Sequence, residues 1–144
     1  MFKALVLSST LLLSFAAGAA EKSYNCIALD KYDYVVQASM NFSSNVFGAI
    51  GKVQAKLVFD GGQVQELNYS GPLKKDAQDA GPYLRGDNNS RINPYAQDQF
   101  LIFDSAAIVN FASLPPKMEL ALEFVTGRLA NRIHRSIGLE CTAK

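Results

Sequence analysis

The chain carries one histidine, two cysteines and almost no excess charge, and each shortage weighs against a class of function. The single imidazole, His134, lies between Ile133 and Arg135, with neither a nucleophile nor an orienting acid beside it in the sequence. Two thiols and one imidazole make a poor ligand set for zinc, so no metal site is expected. Gly-x-Ser-x-Gly, a phosphate-binding glycine loop and His-Glu-x-x-His are all missing. Asp30, Asp33, Glu119 and Glu123 fall at strand spacing on solvated faces, not as a pair flanking a sugar. The chain implies no cofactor and is expected to be non-enzymatic.

Long apolar runs are also scarce. The one exception opens the chain: a positive start at Met1-Phe2-Lys3, an apolar stretch from Ala4 to Ala16, then the small residues Ala17-Gly18-Ala19-Ala20. This order is that of a secretory signal peptide over 1–20, cut after Ala19 or Ala20. The run falls short of the roughly 20 apolar residues that a spanning helix needs, so no membrane span is expected after cleavage. Lys3 leaves with the signal, which brings the 14 basic residues level with the 13 acidic ones. A balance near zero supplies no electrostatic reason to expect nucleic acid or an acidic membrane as partner. What remains, 21–144, is one domain by length, and its expected setting is secreted or periplasmic.

In that setting the two cysteines pair by default, as Cys26–Cys141. A bridge between the two ends of the mature chain stabilises the fold by roughly 4–5 kcal/mol in the chain-entropy model.

Between the cysteines the pattern has a period of two. Tyr24, Cys26 and Ala28 share a face, and Tyr32, Tyr34, Val36, Ala38, Met40 and Phe42 share the next. After the turn residues Ser43-Ser44-Asn45, the face Phe47, Ala49, Gly51, Val53, Ala55, Leu57 and Phe59 alternates with Lys52, Gln54 and Lys56, leaving Val46, Ile50 and Val58 outward. Gly48 and Gly51 suggest a bend or bulge. Asp60-Gly61-Gly62 is a hairpin turn. Leu67 and Tyr69 then alternate in phase while Val64 does not, which a bulge near Gln65-Glu66 would reconcile.

The stretch 71–98 holds several Gly, Pro and Asn turn signals and no sustained period, and is expected to be one long loop, either functional or disordered. Strands resume over Phe100 to Phe103 and Ala106 to Phe111, then over Met118, Leu120, Leu122 and Phe124. Residues 128–136 fit a strand or irregular hairpin arm, with a short helix as the alternative, before the closing strand ends at Cys141.

About eight strands with short turns, the first and last tied by a disulfide, describe an all-β fold. A small antiparallel up-and-down β-barrel is expected, with a β-sandwich as the alternative. No motif assigns the chain to a family. Arg85-Gly86-Asp87 matches the integrin-binding tripeptide, but three residues recur by chance and this one sits among turn residues.

Small residues on the inferred inner face either fit the taper of a filled core or leave room for an apolar ligand. Tyr34, Ala38, Met40, Phe47, Ala49 and Gly51 are therefore the candidate ligand-binding residues. The expected function is a non-enzymatic binding protein that holds a small apolar molecule or a protein surface in its barrel mouth or on 71–98. The alternatives are a protease inhibitor or similar blocking module, a small outer-membrane barrel, and a hydrolase built around His134.

Overall fold

A computed structural model describes residues 20–31, 34–75, 81–87, 96–126 and 133–144. The expected signal peptide, apart from Ala20, lies outside the described residues. Eight strands form one closed antiparallel barrel in sequence order. They are β1 (Glu21–Ala28), β2 (Val35–Ser44), β3 (Ile50–Phe59), β4 (Val64–Lys74), β5 (Tyr83–Gly86), β6 (Ala96–Phe103), β7 (Lys117–Thr126) and β8 (Ile133–Ala143). The barrel, not the sandwich, is thus the architecture. Residues 133–136 belong to strand β8, and 128–132 lie outside the described residues.

Closure is made by β1 pairing with β8, with Cys26 directly opposite Cys141. The two are joined by a disulfide and are almost fully buried. Every other neighbour in the sheet is a sequence neighbour, so this one ladder turns an open sheet into a sheet without edges.

The interior is packed with large side chains. Tyr24, Met40, Phe42, Leu57, Leu67 and Phe103 are among those buried there. Phe42 sits edge-on to Tyr24 with ring centroids 5.3 Å apart and tilted to Phe103 at 6.1 Å. The outward faces of β2, β3 and β4 carry Ser39, Asn41, Lys52, Gln54, Lys56, Glu66 and Asn68. Apolar inside and polar outside is the reverse of a transmembrane barrel, whose lipid face is apolar. Several strands run to 10 or 11 residues, the length a spanning strand needs; it is the polarity of these outer faces that differs from a lipid-facing wall.

Two bulges change which residues point inward. In β2 the register shifts between Val35 and Gln37, so Val35 is buried and Val36 is exposed before Ala38, Met40 and Phe42 resume the inner face. At the start of β3 the partners of Ser43 and Ser44 are Lys52 and Ile50, leaving Gly51 as the extra residue. Ile50 consequently faces inward and is buried, against the expectation that it faced out. No bulge occurs near Gln65-Glu66: β3 and β4 pair without a shift, and Val64 simply faces outward.

The stretch 71–98 is not one loop. β4 continues through Lys74, β5 takes Tyr83–Gly86 and β6 starts at Ala96; 76–80 and 88–95 lie outside the described residues. Ala106 to Phe111 is not a strand either. Asn110 caps a short 3-10 turn over Phe111–Ser113, its side chain accepting from Ser113 N at 2.9 Å. This β6–β7 connection inserts Ile108, Phe111 and Leu114 into the core and closes that mouth of the barrel. Side chains of β1 hold the plug down. Lys22 Nζ donates to the carbonyls of Phe111 and Leu114 at 3.3 Å each, and Tyr24 OH donates to that of Pro115 at 2.9 Å.

Replacing both Cys26 and Cys141 by alanine is expected to cost about 2–5 kcal/mol, read as a lower denaturation midpoint. A midpoint equal to that of the oxidised wild type would show that β1–β8 pairing holds without the bridge.

Candidate functional site

A concave feature among the described residues lies outside the barrel wall. Register places Ile102 of β6, Ala121 of β7 and Gly138 of β8 in one outward row. The outward neighbours of this row along β7 are Glu119 and Glu123, so an alanine and a glycine between longer side chains leave a trough.

One wall is Leu29, whose N–H donates to the Gly138 carbonyl at 2.9 Å and whose side chain stands over the glycine. The other wall is Pro82, with Gly81 and Lys75 beside it. Pro82 is fixed by its carbonyl, which accepts from Phe103 N at 2.9 Å. Gly81 runs so close to the Phe103 carbonyl that no side chain fits there.

The resulting cleft measures about 580 Å³. Its floor is apolar, while Asp104, Glu119 and Lys75 add charge to its lining. Neither Asp104 nor Glu119 has a side-chain partner among the described residues. The lining offers carboxylates and one ammonium, with no hydroxyl, thiol or imidazole among the described residues.

The six residues expected to line a ligand cavity do not come together. Ala38 and Met40 are inside, packed in the filled core. Tyr34 precedes the β2 bulge and is 78% exposed, and Phe47 lies in the β2–β3 turn at 91%. Ala49 ends that turn and Gly51 is the bulge residue, both half-buried. The bulges at Val36 and Gly51 break the single face that the sequence implied.

Arg85-Gly86-Asp87 is built into the sheet and is not a free turn. Arg85 bonds Asp98 at 2.7 Å, Asp87 accepts from Ser70 Oγ at 2.8 Å, and Gly86 packs against Gln99. His134 pairs with Val125 along β8, and its side chain lies outside what is described. Among the described residues no three imidazole, thiol or carboxylate groups gather as a metal site would require.

One interior feature had no sequence signal. Tyr69 is opposite Gly86, and Gly86 lies against Gln99, so two polar side chains enter the core side by side. The Tyr69 hydroxyl and both polar atoms of the Gln99 amide are buried without a hydrogen-bond partner among the described residues. Burial pushes the Tyr69 phenol well above the ordinary tyrosine range.

No protein-family model, no curated protein and no solved structure matches the chain.

The folded Tyr69 stays protonated at a pH where an unfolded tyrosine ionises. Its contribution is therefore intact below pH about 10 and is lost as pH rises above that value. Tyr69→Phe should flatten the alkaline fall in stability. At neutral pH it should be neutral or stabilising by about 1 kcal/mol, because it removes an unpartnered buried hydroxyl. Urea denaturation at neutral and alkaline pH tests both; an unchanged alkaline slope would mean that Tyr69 does not drive it.

Proposed function

We propose that the protein is a non-enzymatic binding protein of a secreted or periplasmic setting, and that its ligand is a small molecule with an apolar body and a cationic end. The observation that carries this reading is the outer cleft. Its volume of about 580 Å³ lies within the span usual for small-molecule sites, roughly 300–1,000 Å³. Ile102, Ala121, Leu29 and Pro82 supply the apolar contact, and Asp104 and Glu119 favour a positive group. The buried disulfide is consistent with an extracellular or periplasmic location.

This reading moves the site from the barrel mouth to the barrel wall. The interior offers less, since the described core is filled and the β6–β7 plug occupies one mouth. Part of 71–98 still takes part, because Lys75, Gly81 and Pro82 come from it. The blocking-module alternative has less support: it needs 71–98 as a free inserted loop, and β4, β5 and β6 take 71–74, 83–86 and 96–98 into the wall.

Native mass spectrometry of unreduced protein purified from its own secretory compartment tests the proposal. The expected result is extra mass released on denaturation, absent from an Ala121→Trp variant whose indole fills the cleft. Bare wild-type protein, or a variant that keeps the extra mass, would overturn it.

A further inference from the structure

The β2–β3 turn stands at the same end of the barrel as the plug, and it holds two apolar side chains out in water. Val46 is 75% exposed and Phe47 91%. Single exposed apolar residues are ordinary; here the backbone is arranged to keep a pair of them there. Asn45 Oδ1 accepts from the N–H groups of Phe47 and Ala49, both at 3.0 Å. Asn45 N donates to the Ala49 carbonyl at 2.9 Å and Gly48 N to the Asn45 carbonyl at 3.1 Å. Gly48 adopts φ 77°, a conformation that glycine takes without strain. The Gly48 carbonyl also accepts from Phe111 N at 3.1 Å, which ties the turn to the plug. Val109, two residues before Phe111, adds a third exposed apolar side chain. These bonds fix the backbone of the turn, from which both side chains extend into solvent.

Charge surrounds this tip. Lys22 Nζ lies 5.0 Å above the Phe111 ring. Gly71 of β4 passes against the Ile50 carbonyl, so β4 carries Lys74 on to the level of the turn, with Lys75 directly after it. Lys52 follows Ile50 in β3. Lysines 52, 74 and 75 stand at this end beside Lys22, whose ammonium also holds the plug, while the described carboxylates Asp104 and Glu119 lie across the barrel, just after β6 and on β7, and Glu21 opens β1; Lys117 is paired with Glu140 at 3.2 Å.

A rigid apolar tip set among ammonium groups is the chemistry of an interfacial anchor. The aromatic ring enters the boundary between headgroups and acyl chains while the lysines meet lipid phosphates. We propose that the protein docks through the Val46–Phe47 turn onto a membrane surface containing anionic phospholipid, lying on that surface and not crossing it. Pairing two tips in a symmetric dimer would set the same lysines against each other, so charge favours an acidic surface over a second copy. The proposal concerns the end of the barrel; Lys75 also lines the outer cleft, but Val46, Phe47 and Lys74 lie outside that lining.

Co-sedimentation of the mature, disulfide-bonded protein with lipid vesicles tests it. Binding is expected to vesicles containing phosphatidylglycerol, to be much weaker on pure phosphatidylcholine, and to fall at high salt. Phe47→Ser should lower binding about tenfold or more with an unchanged melting temperature, and Lys74→Glu about fivefold or more at low salt. Three results would overturn the proposal: no binding to the anionic vesicles, equal binding by Phe47→Ser, or a Phe47-dependent dimer in sedimentation that does not bind vesicles. Capture of an acidic protein by the same tip, with no vesicle binding, would assign the surface to a protein partner instead.

Discussion

The structure depends on one pairing, that of β1 with β8. All other strand pairs join sequence neighbours and would form in an open sheet. Only β1–β8 removes the two free edges, and it does so at a register fixed by Cys26 opposite Cys141. Because β1 is held in place, Lys22 and Tyr24 can hold the plug, and the plug in turn braces the β2–β3 turn through Phe111 and Gly48. In β8 the same closure sets Gly138 beside Leu29 and so completes a wall of the outer cleft. Core, cleft and turn all follow from the ring being shut.

The architecture was largely legible because alternation and cysteine arithmetic are local or nearly so. β7 shows the clean case: Met118, Leu120, Leu122 and Phe124 are all buried, as their spacing implies. The disulfide needed only a count of two and an oxidising setting. Phase was harder to read. Val35 and Val36 are both valine, so nothing in composition says which of them turns inward at a bulge. Gly51 did hint at an irregularity, yet the hint does not say that Ile50 will change sides. β5 is four residues long, too short for a period to show between its glycines and prolines. Ala106 to Phe111 has strand-like content, and only the Asn110 cap reveals a plug.

The candidate cleft was not legible for a different reason. Its floor is assembled from β6, β7 and β8, whose contributions are ordinary in isolation. Ala121 among glutamates looks like a small surface residue, and Gly138 looks like a weak point in a strand. They form a hollow only because register sets them side by side. The residues expected to bind failed as a group through the same cause acting in reverse: two bulges separated residues that a strict period had placed together. The interior they were meant to line is instead occupied by Phe42, Leu57, Tyr69 and their neighbours.

The order of the strands also bears on when the barrel can form. Cys141 lies 115 residues beyond Cys26, and β8 follows every other strand of the barrel in sequence. Until the last strand is in place, β1 and β7 each remain an open flank. Before closure the chain is therefore an open, adhesive ribbon, the kind of species that folding chaperones hold.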